Sequence, residues 1–192
     1  MNRFCYLIIF CFCLVSCTST PHPLGKPLPA LSFDYLEPYL VHGGSVRIEQ
    51  SFVPNRQNQI LAGQMVEAPE KILMRYAQSR FNTEAGDHRL VFDLKNASLV
   101  KNSDHNNMAD FFLGRAEDHY TLDLFIVMTP IRADGHRAAP FTIRLKRNLT
   151  FSQNVSVAER EFRQFEFFEK MITDIDTQVT HLVKHKMTAD YF

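Results

Sequence analysis

Apolar and polar positions alternate most regularly over residues 120–131, where Tyr120, Leu122, Leu124, Ile126 and Met128 interleave with Thr121, Asp123, Phe125, Val127 and Thr129. A period of two puts each set on its own side of an extended chain, so this stretch predicts a strand with one buried face. Ala133-Asp134-Gly135-His136 follows as a tight turn, because Asp-Gly supplies the positive φ that a hairpin needs. The return strand covers residues 141–151. Phe141, Ile143, Leu145, Leu149 and Phe151 share one side and Arg144, Lys146 and Asn148 the other, while Arg147 interrupts the apolar side. Two further strands are expected: residues 45–53, with Val46, Ile48 and Phe52 apolar and Pro54 closing it, and residues 88–100, with Leu90, Phe92 and Leu94 on one side.

Two segments switch to the helical period. Over residues 69–81, Ile72, Leu73, Tyr76, Ala77 and Arg80 fall on one face. Pro69 suits the first helical position and Glu70 the positive end of the dipole. Residues 157–186 form a longer helix. Phe165, Phe168, Ile172, Ile175, Val179 and Leu182 recur at alternating steps of three and four, a narrow apolar seam with Phe167 beside it but off it. Ser156 and Glu159 have capping-box spacing. Glu159 with Arg163 and Glu166 with Lys170 are expected i, i+4 pairs, and Lys184, His185 and Lys186 suit the negative end of the dipole. The order is β-α-β-β-β-α. The fold class expected is α+β, a two-layer sandwich in which two helices cover one face of a mixed four-stranded sheet. The β-α-β step makes two strands parallel and the hairpin makes two antiparallel.

The first thirty residues break these patterns. Arg3 precedes an uninterrupted apolar run of 12 residues, 4–15, the length of a signal-peptide core and too short to span about 30 Å of hydrocarbon. All four cysteines lie here (Cys5, Cys11, Cys13, Cys17), crowded too closely for a disulfide framework or a zinc site. Leu14-Val15-Ser16-Cys17 resembles the bacterial lipobox: an aliphatic residue three before the cysteine, a small one just before it, then the cysteine that receives diacylglycerol. That resemblance implies cleavage after residue 16 and lipidation of Cys17, with the acyl chains as the membrane anchor. Residues 18–30 hold Pro21, Pro23, Pro27 and Pro29 and form a polyproline-like tether; 13 residues at about 3.1 Å each reach about 40 Å. The expected organisation is a leader over 1–16, a lipidated cysteine and tether over 17–30, and one globular domain over 31–192. Thr18 stands where an Asp favours inner-membrane retention of Gram-negative lipoproteins, which by the same resemblance leans towards the outer membrane.

Composition narrows the function classes. The chain has 192 residues, 45% hydrophobic and 22% charged, an ordinary single-domain composition. Lys plus Arg equals Asp plus Glu at 21 each, and the leader removes only Arg3, so the mature domain is near neutral and lacks the electrostatic footprint of a nucleic-acid binder. Three Asn-x-Ser/Thr triplets, at Asn96, Asn148 and Asn154, have no role in a bacterial chain.

The search for chemistry finds no cofactor site, no metal site and no catalytic set. No Gly-x-Ser-x-Gly or phosphate loop is present. His181 and His185 lie four apart on a helix but lack the Glu of a zincin motif. Asp104-His105-Asn106-Asn107 and Asp118-His119 lack the Gly and terminal Glu of a calcium loop. Two candidate contact surfaces are left. Phe111-Phe112-Leu113 follows a polar loop with no clear period, as a satellite core or as an apolar patch for a partner or lipid. Arg144 and Lys146, with Arg147 and Arg137, form a basic cluster that is either a solvated sheet face or a meeting point for anionic headgroups.

A lipobox, a Pro-rich tether and a β-α-β-β-β-α domain together resemble small envelope lipoproteins of two groups: auxiliary lipoproteins of ABC-type and intermembrane lipid-transport systems, and lipopolysaccharide-assembly lipoproteins that sit inside an outer-membrane barrel. The resemblance covers the mature chain in element order, and Cys17 is the one residue it carries over. It implies a non-catalytic, membrane-anchored accessory or adaptor protein facing the periplasm, partnered by a larger envelope complex. The alternative is a periplasmic carrier that shelters a lipid or other apolar ligand itself. A carrier needs a continuous apolar cavity; an adaptor needs an exposed edge or patch.

Overall fold

The alternating stretch around Tyr120 is the spine of the sheet. A computed structural model of the chain describes residues 28–41, 44–103, 117–152 and 154–185. Its strands are β1 (Tyr39–Val41), β2 (Gly44–Gln50), β3 (Phe81–Thr83), β4 (His88–Ser103), β5 (Glu117–Ile131) and β6 (Phe141–Ser152). Its helices are α1 (Arg56–Ala62), α2 (Pro69–Arg80) and α3 (Val157–His185). The main sheet runs β2-β4-β5-β6. β2 is parallel to β4, and β4–β5 and β5–β6 are antiparallel. This is the mixed four-stranded sheet of an α+β sandwich.

The inner face follows from side-chain parity. Along β5 every second residue from Asp118 to Pro130 is buried. β4 needs one correction to keep that parity over its 16 residues. Leu90, Phe92 and Leu94 point inward, the register shifts between Leu94 and Asn96, and Ala97 and Leu99 are then the inward pair. One extra residue flips the alternation, so two apolar residues three apart share a face. Gly44 opens β2 opposite His88, where a Cβ would lie 2.7 Å from the His88 carbonyl oxygen; only glycine fits this approach of two parallel strands. Gly135, at φ 82°, turns the β5–β6 hairpin, with the Asp134 carboxylate accepting from the His136 amide at 2.8 Å.

α2 buries the face expected of it: Ile72, Leu73, Tyr76, Ala77 and Arg80. α3 buries Phe168, Ile172, Ile175, Val179 and Leu182 as expected, but its stripe is broader than the seam. Gln164, Phe167, Met171 and Val183 are buried too, and Phe165 is only half-buried. The physical reason is geometric: a helix lying across a sheet and against α2 needs a face wider than a coiled-coil seam, so Phe167 joins the core and Phe165 rides its rim. Ser156 Oγ accepts from the Glu159 amide at 3.2 Å, while the Glu159 side chain takes Arg163 at 2.7 Å. The expected Glu166–Lys170 pair does not form.

Three elements depart from the expected two helices and one sheet. α1 is a third helix, capped by Asn55, whose side chain accepts from the Asn58 amide at 2.8 Å. Asn58 is itself buried and donates to the Leu99 carbonyl at 2.8 Å, fixing α1 against β4. β1 and β3 form a second, two-stranded parallel sheet, pairing Tyr39 with Phe81 and Val41 with Thr83. Each has three residues, too few to show a period.

Candidate functional site

The two ends of the sheet differ. At one end β2 is met by β3, and the Glu84 amide donates to the Gly44 carbonyl at 2.9 Å. At the other end β6 pairs with β5 on one side only; among the described residues no strand lies on its far side. The hairpin turn at Gly135 delivers β6 to this position, and α3 follows it directly in the chain and packs back beside it.

Parity sorts the side chains of β6. Ile143 and Phe151 point into the core, and Leu145 and Leu149 are half-buried on the same side. Arg147 shares that side, which accounts for its place in the apolar pattern: its guanidinium reaches α3 and holds Asp174, with Nε 2.9 Å from Oδ2. Arg144, Lys146 and Asn148 are exposed on the other side. The basic cluster expected from sequence is thus divided, because residues 146 and 147 must face opposite ways in a strand. Arg144 lies over the Phe125 ring, 3.9 Å from its centroid, a cation–π contact across the β5–β6 pair.

A groove of about 550 Å³ runs between the end of β6 and the first half of α3. Its walls include Arg147, Asn148, Leu149 and Thr150 from the strand and Phe162, Arg163, Glu166 and Lys170 from the helix. Phe162 is 36% exposed, an aromatic ring at the rim of a strand edge. Sequence reasoning passes over Phe162, Arg163 and Lys170 as part of this site; the available signal is that Phe162 falls outside the buried stripe of α3. A second depression, about 500 Å³, lies on the outer face of the sheet, where Val91, Val127 and Ile131 lie among charges of both signs, Arg47, Arg89 and Arg137 beside Glu49 and Asp93.

The other sequence candidates resolve differently. Asp118 is buried and bound to Lys101 at 2.8 Å, and that hydrogen bond holds the Lys101 ammonium above its ordinary range against the opposing effect of burial. His119 Nδ1 is 2.9 Å from Thr150 Oγ1 across the β5–β6 pair. These contacts occupy the Asp118-His119 pair in strand pairing. His181 and His185 are exposed with ring centroids 4.8 Å apart. Among the described residues no three His, Cys, Asp or Glu side chains gather to hold a metal. Cys17, Phe111, Phe112, Leu113 and the Asp104-His105-Asn106-Asn107 segment lie outside the described residues.

Among the described residues, sheet and helices share one buried cluster. Phe92, Leu94, Leu124, Ile126 and Met128 from the sheet meet Tyr76, Phe168, Met171 and Ile175 from the helices, all at 1% exposure or less. A polar cluster seals the seam between α2 and α3: Tyr76 donates to Asp176 at 2.8 Å and Arg80 Nε to the same oxygen at 2.7 Å. Burial, reinforced by the Asp176 charge, pushes the Tyr76 phenol far above its ordinary range. No helix among the described residues is long and apolar enough to cross a membrane.

No protein-family model matches the chain, and no curated protein matches it. The solved structures that align with it include rare lipoprotein B from Shewanella oneidensis, at 15% identity over 74% of this chain and 96% of that one, with a TM-score of 0.39. A minor lipoprotein from Acinetobacter baumannii aligns at 14% identity over 75% and 92%, with a TM-score of 0.35. A lipoprotein from Caulobacter crescentus aligns at 13% identity over 69% and 90%, with a TM-score of 0.25. At these identities and scores the likeness carries no argument about function.

Proposed function

We propose that the mature chain is a non-catalytic lipoprotein, anchored by lipid on Cys17 and facing the periplasm, that serves as an accessory component of an envelope lipid-transport or outer-membrane assembly machine. Its working surface is the β6 edge with the groove beside α3. The observation that carries this reading is that β6 pairs on one side only among the described residues, because an edge strand is a template for strand addition. The burial of Phe92, Met128 and Phe168 between sheet and helices favours an adaptor over a carrier, since a lipid sheltered there would need the volume that these side chains occupy. Thr18 after the lipidated cysteine supports the outer membrane as the anchoring leaflet's home.

The test is a native pull-down of the tagged, lipidated protein from membranes in mild detergent, with proteins and lipids both identified by mass spectrometry. Recovery of transport-complex subunits or of an outer-membrane barrel supports the accessory role and names the machine. Stoichiometric lipid without a protein partner contradicts it and establishes the carrier.

A further inference from the structure

We infer that the strand received at β6 is an extended segment of another envelope protein that carries carboxylates at alternate positions. The inference rests on the docking role proposed above and adds the chemistry of the occupant. β6 carries Arg144, Lys146 and Arg147 and no acidic residue along Phe141–Ser152. Arg147 already holds Asp174. Arg144 and Lys146 are exposed, form no ion pair among the described residues, and stand two residues apart on one side of the strand, Arg144 over the Phe125 ring and Lys146 opposite Asp123 in register. An added strand has the same period of two, so its alternate residues on that side meet these two cations in turn, and opposite charges are favoured in such cross-strand positions. Its intervening residues fall on the groove side, where half-buried Leu149 and the Phe162 ring lie among Arg147, Thr150, Arg163, Glu166 and Lys170. That side is mixed, so the charge preference is set by the side that carries Arg144 and Lys146.

The same charges disfavour a second copy of this chain as the occupant. Pairing β6 with β6 would bring Arg144 and Lys146 of both copies onto one face, like charge beside like charge, while Arg147 stays with Asp174 on the other. The edge therefore favours an anionic strand over its own copy. An anionic membrane is the other surface that attracts Arg144 and Lys146, but it leaves the backbone groups of the edge unpaired.

The test uses the lipidated mature chain in phosphatidylcholine vesicles and follows amide hydrogen exchange over 141–152. Two short peptides are compared, one alternating glutamate with valine and one alternating lysine with valine. The acidic peptide is expected to slow exchange along β6 by about tenfold or more, and the basic peptide to leave it unchanged. The Arg144→Glu/Lys146→Glu variant, whose altered side chains are both exposed, is expected to invert this preference while its circular dichroism matches the parent. Equal protection by both peptides, protection by neither, or protection by phosphatidylglycerol vesicles alone overturns the inference. An envelope partner crosslinked at β6 through a strand without carboxylates also overturns it, while leaving the docking role standing. Crosslinking of the partner elsewhere on the domain, with none at β6, overturns both.

Discussion

Arg80 and Asp176 are 96 residues apart in sequence, yet Nε of one lies 2.7 Å from Oδ1 of the other and joins α2 to α3. The Arg80 side chain is 7% exposed and the Asp176 side chain 18%, and Arg80 also stacks on Tyr39, 4.0 Å from the ring centroid. Removing one member leaves the other charged and poorly solvated. Arg80→Met alone is expected to cost about 3 kcal/mol, whereas Arg80→Met with Asp176→Leu costs much less than the two single changes together. Urea unfolding of the four proteins checks this; additive losses would mean the pair is uncoupled.

The boundary of the α3 core predicts a contrast between two phenylalanines. Phe168 is fully buried and Phe165 is half-buried at the rim. Phe168→Ala should lose about 3–5 kcal/mol through lost transfer energy and a residual cavity, and Phe165→Ala about 1 kcal/mol. Equal losses in denaturant unfolding would contradict the placement of the stripe.

That contrast also shows how far the sequence was legible. The hairpin of β5 and β6 could be read from period and turn chemistry because each strand has one face in the core and Asp134-Gly135 has one way to turn. The face of α2 was legible down to Arg80, whose apparent misplacement on an apolar stripe marks a buried ion pair. β1 and β3 were not, since three residues carry no period. α1 was missed although Asn55 has the chemistry of a cap, because only Asn58 and Leu61 of that helix are buried. The groove could not be read at all. It depends on β6 being last in the sheet and on α3 returning beside it, and both are tertiary facts. Phe165 and Phe167 exchanged roles because the width of a helix's buried face is set by what it packs on.

Asp93 predicts a pH dependence. Burial alone would raise its carboxyl, but a hydrogen bond from Lys95 and two from Ser51, its hydroxyl at 2.9 Å and its amide at 3.1 Å, outweigh burial and hold it below the ordinary range. A carboxyl lowered in the fold stabilises it above the unfolded value of about 3.9, and that contribution disappears as pH falls through the folded pKa. The urea midpoint of the parent should therefore fall more steeply below about pH 4 than that of Asp93→Asn, which should already be less stable at pH 7. Parallel curves would remove Asp93 from the acid response.

Cys17 predicts the chemistry of the mature terminus. Intact mass spectrometry should find a chain beginning at Cys17 and carrying a diacylglycerol, with the additional acyl chain where the host supplies it. Cys17→Ala should leave an unprocessed precursor that no longer fractionates as a lipid-anchored protein. A mature chain beginning at another residue would refute lipidation there.

Site-specific photocrosslinking in intact cells tests docking through β6 most directly. A photoreactive side chain is placed at Lys146 or Asn148 on the edge strand, and at Gln78 on the exposed side of α2 as control; all three positions are exposed. Docking through β6 predicts that both edge positions capture the same envelope protein and that Gln78 captures none of it. Capture from Gln78 alone, or from none of the three while lipid co-purifies in stoichiometric amount, would contradict it.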